Sequence, residues 1–331
     1  MAERTESVLC RDIHGRLREI RLSDQGAFVT PGSALQQRLV MANDQRLVRK
    51  SVPRAAGARD PRLYELLDNE VRAGTRLGQV YSGWYPAELA RLVAYNMDAE
   101  EPFVLLRAYL GLPAADHVKN LGDAERRAFQ IGLLRAVQFA AAAGVVHGAI
   151  GLTTVRWADN QLQLVDFESA ERVGEPRRAG NGSRGRSPEQ VAELGEVDAR
   201  DDLWAAGLLI RAVHPGTSVN GSAADRSHDP ERLRALLDGV FDNPLEQRPT
   251  PADLLLQLRA EHRVPPSGDP EAGLAEGRRL FEQICVGKRG PVTSPPARGT
   301  DTDGRVKRKL PFLATVALIA AVLIIGMVVL V

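Results

Sequence analysis

The chain has 331 residues, of which 44% are hydrophobic and 26% are charged, as in an ordinary globular protein with enough apolar side chains for a sizeable core. The 43 Lys and Arg residues oppose 42 Asp and Glu residues, so the formal net charge is only +1 and binding to nucleic acid is not expected. Two distant cysteines, Cys10 and Cys285, and six scattered histidines form no metal or redox motif, and we expect free thiols in a reducing cytoplasm.

Short apolar or alternating runs predict a small sheet in the first part of the chain. Residues 1–24 form an N-terminal extension or supply extra strands. Strands are then expected in QQRLVMAND, QRLVRKSVP, LARLVAYN and PFVLL. One charged helix interrupts them in DPRLYELLDNEVRAGTRL, where apolar residues recur at helical spacing.

Helices dominate after about residue 107. Helical periodicity occurs in ERRAFQIGLLRAVQFAAAAG, DDLWAAGLLIRAVH, ERLRALLDGVF and TPADLLLQLRAEH. Between the first two, TTVRWAD and QLQLVDF predict a pair of strands joined by a turn at Asn160. A small sheet with one helix, followed by a larger helical lobe, is a bilobal α+β plan.

The end of the chain changes character twice. Residues 264–309 are rich in Pro, Gly, Ser and Thr and predict a juxtamembrane tether, with a short amphipathic helix at 271–287. Leu310–Val331 carries no charge, and a helix of this length spans about 30 Å, the thickness of the hydrocarbon core. The basic run GRVKRK precedes it. We therefore expect a tail-anchored, single-pass protein of the inner or plasma membrane, with its folded part in the cytoplasm.

Seven short motifs follow one another in a recognisable order. They are LVRKSV, DNEVRAGTRL, GVVHGAIGLTT, LVDFES, RSPEQ, DARDDLWAAGLLI and EQRPTPADLL. Their order and spacing over residues 25–263 resemble the protein kinase superfamily, in particular bacterial Ser/Thr kinases. The resemblance implies a bilobal protein-kinase-like fold, with a small N-lobe up to about residue 107 and a helical C-lobe after it.

The resemblance also implies a nucleotide site. The matched cofactor-binding positions are Lys50, Glu70, Leu106, Arg107, Tyr109 and Asp166. Lys50 would hold the α- and β-phosphates and be positioned by Glu70, while Asp166 would carry Mg²⁺. The segment from Leu106 to Tyr109 would form the hinge that adenine stacks against. The matched structural positions are His147, Phe167, Glu189, Asp202 and Arg248.

The chemistry of the family is missing from GVVHGAIGLTT. Ala149 stands at the position of the catalytic aspartate, Gly151 at that of the loop lysine and Thr154 at that of the metal-binding asparagine. Loss of a general base typically costs about 10²–10⁴-fold in rate, and the lost charge and metal ligand add to this. The site is therefore expected to be inactive as a phosphotransferase.

Two further positions depart from the family pattern. In TPGSALQQ only Gly32 remains of a glycine-rich loop, and glutamines near the strand would crowd the phosphates. Glu168 stands where the glycine of the DFG segment is expected. It is either a solvated loop charge that restricts the backbone or a displaced metal carboxylate that compensates for Thr154.

Three functional hypotheses follow. The first is a membrane-anchored cytoplasmic pseudokinase that acts as a binding or scaffolding module in signalling or cell-envelope regulation. The second is an atypical ATP-dependent Ser/Thr kinase or nucleotidyl transferase. In the third, an active Ser/Thr kinase phosphorylates the tether and a phosphothreonine-reading domain docks there, with Thr293, Ser294, Thr300 and Thr302 as candidate positions. The expected cofactor is ATP, with or without Mg²⁺, or none.

Overall fold

Six antiparallel strands and two helices build the first part of the structure, which is a computed structural model. It describes residues 5–178, 185–215, 217, 226–242 and 244–261, together with residues 279, 282 and 283. The strands are β1 (Thr5–Asp12), β2 (Leu17–Ala27), β3 (Gln36–Ala42), β4 (Gln45–Ser51), β5 (Leu92–Asn96) and β6 (Phe103–Arg107). They lie in the order β1-β2-β3-β4-β6-β5 and close into a barrel.

Local sequence explains the hairpins of this barrel. Asn43 and Asp44 both have positive φ, 48° and 60°, which suits the two-residue turn between β3 and β4. The register of β2 against β3 shifts between Asp24 and Gly26, a bulge that increases local twist. Apolar side chains from all six strands fill one core cluster: Cys10, Leu22, Val40, Ala42, Leu47, Ala94, Phe103 and Leu105.

Closure of the barrel corrects the fold prediction. The bilobal protein-kinase-like plan, with a small N-lobe sheet and one helix, is wrong, because the structure has a closed six-stranded antiparallel barrel instead. The reason lies in the residues treated as an extension. They form β1 and most of β2, and β1 pairs with β5 through Arg11 with Tyr95 and Asp12 with Ala94. This pairing joins the two ends of the strand order.

Two helices follow β4, namely α1 (Arg54–Arg59) and α2 (Arg62–Val80). Leu67 and Val71 of α2 pack in one buried cluster with Leu92 and Val104 of the barrel. Each such side chain contributes about 1.5–3 kcal/mol by leaving water. Gly74 lets the helix approach β5, because a Cβ there would lie 2.7 Å from the Cβ of Leu92.

The rest of the described chain is mainly helical. Its strands are β7 (Leu112–Pro113), β8 (Val145–Val146), β9 (Val155–Ala158), β10 (Gln161–Leu164) and β11 (Glu171–Arg172). Its helices are α3 (Asp123–Ala142), α4 (Pro188–Val191), α5 (Ala199–Ala212), α6 (Glu231–Leu236) and α7 (Pro251–Gln257). The predicted turn at Asn160 is confirmed, since Asp159 and Asn160 have φ of 49° and 58° between β9 and β10. Asp198 and Thr250 cap α5 and α7.

The membrane-anchor prediction also needs correction. No helix among the described residues is both long and apolar enough to cross a membrane, so a single-pass transmembrane protein located in the inner or plasma membrane is not supported. The segment behind that prediction, Leu310–Val331, lies outside the described residues, as does the basic run before it. The predicted tether at 264–309, its helix at 271–287 and the candidate phosphorylation positions also lie outside them, apart from residues 279, 282 and 283.

Candidate functional site

Lys50 and three carboxylates form a buried ionic cluster, which we call the Lys50 cluster. The Lys50 Nζ lies 2.8 Å from Glu70 Oε2, 2.5 Å from Asp166 Oδ1 and 2.8 Å from Glu168 Oε1. The lysine side chain is completely buried, and the three acids are at most 6% exposed. An ammonium group has three N–H donors, and three carboxylates face it here. Lys50 donates hydrogen bonds to Glu70 and Glu168, and Asp166 is its third ionic partner, so a phosphate would have to compete with three carboxylates.

Four elements bring these side chains together. Lys50 lies on β4, and Glu70 lies on the buried face of α2 beside Leu67. Asp166 follows β10 in the left-handed backbone region, with φ 63°, a sparsely populated conformation that Asp adopts more readily than most residues. Glu168 lies in the short 3-10 turn Phe167–Ser169. The predicted Lys50–Glu70 pair is therefore present, and Asp166 joins it.

The charges of the Lys50 cluster do not balance. Burial raises the pKa of Glu70 to about 7, an effect that Lys50 opposes and that the two neighbouring acids reinforce. Burial alone would lower the pKa of the Lys50 ammonium, but the surrounding carboxylates hold it well above its ordinary value. Lysine thus stays charged, while Glu70 takes up a proton near neutral pH. A polyphosphate brought into this cluster would meet excess negative charge.

Glu168 is buried and is not a solvated loop charge. It accepts hydrogen bonds from Ser33 Oγ at 2.5 Å and from the Ala34 N–H at 3.4 Å, and its backbone carbonyl accepts one from Asn69 at 3.0 Å. The loop that the resemblance places over the phosphates therefore rests on this residue. The Ser33 contact was not predicted, since nothing in the sequence pairs two residues so far apart.

The same loop is closed at its base. Gln37 is buried, and its side-chain oxygen accepts hydrogen bonds from the Thr30 N–H at 3.1 Å and the Thr30 hydroxyl at 2.8 Å. Gly32 lies close to Thr153, because a Cβ at this position would be 3.1 Å from Thr153 Oγ1. The glutamine predicted to crowd phosphates instead fastens the loop.

Two backbone N–H groups of the predicted hinge donate to carbonyls of the protein, that of Arg107 to Arg91 O at 2.9 Å and that of Ala108 to Arg46 O at 3.1 Å. Leu106 is buried at the end of β6, and Arg107 is exposed. The Leu110 N–H donates to the side chain of Gln163 at 2.9 Å. The Tyr109 hydroxyl donates to Asp166 Oδ1 at 3.2 Å, and burial raises the pKa of this phenol well above its ordinary value. The Tyr109 hydroxyl is therefore hydrogen-bonded to the Lys50 cluster and is not free to bind a ligand.

Arg156 fills the space beside this segment, and sequence reasoning missed it. The guanidinium lies 5.7 Å from the ring centroids of both Phe28 and Tyr109, and only 4% of the residue is exposed. It donates to the carbonyl of Leu110 at 3.2 Å and to that of Gly111 at 2.7 Å. The available signal was a charged residue inside an otherwise apolar strand, TTVRW, which a buried arginine with partners explains.

The side chain of Thr154 holds the loop that contains Ala149 and Gly151. Thr154 Oγ1 donates to the Ala149 carbonyl at 2.9 Å and accepts from the Gly151 N–H at 3.0 Å. The Thr154 hydroxyl, at the position that the resemblance gives to a metal-binding asparagine, thus stabilises the loop. Ala149 and Gly151 bring no functional group, so the structure places no general base and no cation at these two positions.

Three buried residues contact this loop from the core, namely His147, Phe167 and Asp202. Asp202 accepts from the N–H groups of His147 at 2.6 Å and Gly148 at 3.0 Å, and burial raises its pKa to about 7. Burial lowers the pKa of His147 to about 4, so the ring is neutral, and its Nε2 donates to Val165 O at 2.9 Å. The rings of His147 and Phe167 meet edge to face at 4.7 Å.

The Glu189–Arg248 ion pair is not part of the Lys50 cluster and joins α4 to the turn before α7. Arg248 donates to both carboxylate oxygens of Glu189, at 2.7 and 3.0 Å, and its guanidinium stacks 4.9 Å from the ring of Trp204. The expected pairing is present, and its contacts tie α4 to α5 and to the turn before α7.

The Lys50 cluster offers the oxygens of a metal site, but its occupant is lysine. One oxygen each from Glu70, Asp166 and Glu168 lie within 4.8 Å of one another. The ammonium of Lys50 contacts all three groups and supplies the positive charge there. Asp166 Oδ2 is buried without a hydrogen-bond partner among the described residues. Mg²⁺ with a nucleotide does not fit this arrangement, because Lys50 would first have to leave at least one carboxylate.

No family model matches this chain, and a search of curated proteins finds no match. The assignment of a function therefore depends on the geometry of the site.

Proposed function

We propose that this chain is a non-catalytic protein-binding module in which the phosphotransfer chemistry of the resembled family has been lost. The observation that carries the proposal is the coordination of Lys50. Its ammonium donates hydrogen bonds to Glu70 and Glu168, both at 2.8 Å, and forms an ion pair with Asp166 at 2.5 Å. The Glu168 hydrogen bond uses a donor that a nucleotide phosphate would need.

The arrangement around Arg156 supports the same proposal. A purine needs a flat apolar slot with free backbone donors and acceptors at its edge. Here the guanidinium of Arg156 lies against the rings of both Phe28 and Tyr109, which also contact each other, and it donates to the carbonyls of Leu110 and Gly111. Arg156 and Glu168 thus obstruct the positions that the resemblance gives to the base and the phosphates, which supports a module that folds without ATP or Mg²⁺.

The test is the thermal stability of the full chain with ATP, with and without Mg²⁺. A ligand at 100 times its Kd stabilises a protein by about 2.7 kcal/mol, which is about 5–10 °C in a unit of this size. We expect no shift for the wild-type chain at ~1 mM ATP, corresponding to a Kd above about 1 mM. The same ATP shift is measured for the double variant Glu168→Gly with Arg156→Ala, which removes both obstructing side chains. Glu65→Ala, on the exposed face of α2, is the matched control for this measurement.

A wild-type shift that disappears in Asp166→Ala would refute the proposal. It would favour the second candidate, an ATP-dependent transferase of unusual mechanism, and transfer of labelled phosphate or nucleotide would then be assayed. One observation favours that candidate: Oδ2 of Asp166 has no hydrogen-bond partner within the described part of the chain and would be open to a ligand if Lys50 moved. Against it stand Ala149 and Gly151, which provide neither a base nor a cation.

A further inference from the structure

A groove with a volume of about 590 Å³ lies on the helical part of the chain. It is lined by parts of residues 173–177, 189–200 and 244–246, and we call it the acidic groove. None of its lining residues belongs to the Lys50 cluster. Neither the resemblance nor the proposed loss of catalysis gives this groove a role.

Apolar side chains are exposed in and beside the acidic groove. Val173 and Leu194 line it and are 39% and 65% exposed, and the neighbouring Val191 is 68% exposed. Glu193, between the latter two, has a φ of 56°, an uncommon backbone conformation for a residue other than glycine. Several exposed apolar side chains along one groove are typical of surfaces that contact another protein.

The walls of the groove are preformed. Backbone hydrogen bonds join Gly174 N–H to Val197 O at 2.9 Å and Val197 N–H to Glu175 O at 2.8 Å. Arg177 stabilises these backbone contacts, because it donates to the Leu194 carbonyl and pairs with the buried Asp201 at 3.0 Å. Binding of a partner would therefore not require the free energy of ordering the groove.

The charge of the groove selects the partner. Among its lining residues, Arg200 pairs with Asp198 at 3.3 Å, and Glu189 is neutralised by Arg248. Glu196 and Glu246 are both exposed, and no hydrogen bond or ion pair with another described residue engages either carboxylate. Two uncompensated negative charges thus flank an apolar surface. Such a surface is complementary to a peptide with apolar side chains between Lys or Arg residues.

We propose that the acidic groove binds a short basic segment of a partner protein, with an apolar side chain against Leu194 and cations facing Glu196 and Glu246. This assignment deepens the proposed function, on which it rests for the idea that the module acts by binding. It names the chemistry of the partner as a basic peptide carrying a central apolar pair.

The test uses the full chain and a fluorescein-labelled peptide, GSRRLLRRSG, followed by fluorescence anisotropy at low ionic strength. Two comparison peptides, GSEELLEESG and GSRRGGRRSG, carry reversed charge and lack the apolar pair. The double variant Glu196→Lys with Glu246→Lys should bind the basic peptide at least about tenfold more weakly, and Leu194→Ser several-fold more weakly. The matched control is Glu65→Lys with Glu101→Lys, which reverses two exposed carboxylates outside the groove.

Because all these positions are exposed, the variants are expected to fold, and unchanged melting temperatures verify it. The milder pair Glu196→Gln with Glu246→Gln repeats the measurement without charge reversal. The proposal is overturned if the peptide does not bind at ~1 mM or if the groove variants bind it as the control does. It is also overturned if sedimentation shows self-association that Leu194→Ser abolishes, since the occupant would then be a second copy. The ATP shift, measured on the same preparations, reports separately on the proposed function.

Discussion

Substitution of Lys50 by methionine tests whether this lysine is a structural cation. Methionine keeps an unbranched side chain of similar length but removes the charge. The three carboxylates of the cluster would then face one another at 2–6% exposure with no cation among them. Removal of one partner from a buried ion pair costs about 3–5 kcal/mol. At about 2–4 °C per kcal/mol for a unit of this size, the melting temperature should fall by about 10 °C.

The assay is urea unfolding of the full chain at pH ~8 without nucleotide, followed by tryptophan fluorescence, where the ionised carboxylates make the effect largest. Arg54→Met is the control, because it breaks the Arg54–Glu100 pair, whose side chains are 77% and 75% exposed. Such a surface pair contributes about 0–1 kcal/mol. Adding Glu168→Gln to the Lys50→Met variant should recover about 1–2 kcal/mol, since one uncompensated carboxylate fewer remains.

A Lys50→Met variant within about 1 kcal/mol of the wild type would refute this reasoning. Lys50 would then not be the cation that stabilises the cluster, and its role would have to be sought in ligand binding. Failure of Glu168→Gln to rescue the variant would show that the cost comes from packing and not from charge.

Two further predictions concern the same region. Arg156→Ala should lower the free energy of unfolding by about 1–2 kcal/mol, because its ring contacts and hydrogen bonds are lost. The control is Arg107→Ala at an exposed position, whose free energy of unfolding should stay within about 0.5 kcal/mol of the wild type. Equal denaturation midpoints for the two variants would contradict this prediction. Glu70→Gln tests the raised pKa of about 7 against the ordinary value of 4.5. Between pH 4.5 and 7, Glu70 is protonated in the folded wild type but ionised in the unfolded chain, so the free energy of unfolding falls as pH rises. From pH ~5 to ~8 the wild type should lose about 2–3 kcal/mol of stability relative to Glu70→Gln, which cannot ionise at this position. A pH-independent difference would argue against the raised pKa.

Features of the structure that depend on local sequence were predictable. Helical periodicity located α2, α3, α5 and α7, and the Asn160 turn followed from residues that tolerate positive φ. The Lys50–Glu70 pair was predicted from the order of short motifs, which conveys contacts only by resemblance.

Contacts between residues far apart in sequence were not predictable from these patterns. Nothing in the alternation of β1 shows that it pairs with β5, and this pairing distinguishes a closed barrel from an open sheet. Glu168 was interpreted as a solvated charge or a metal ligand because its partners, Lys50 and Ser33, come from other parts of the chain. Arg156 was overlooked since a charge within a strand is normally assigned to the solvent-facing side.

Closure of the barrel by β1 has a consequence for how the chain folds. β1 pairs with β2, which follows it directly, but its other edge pairs with β5, and all of α2 lies between β1 and β5 in the sequence. Pairing over such a sequence separation is slow, and an unpaired strand edge is a site for association with other chains. A fragment that starts at residue 25 would lack β1 and most of β2, leaving β3 and β5 as exposed edges. In the finished barrel, the pairing of β1 with β5 therefore covers two strand edges at which other chains would otherwise associate.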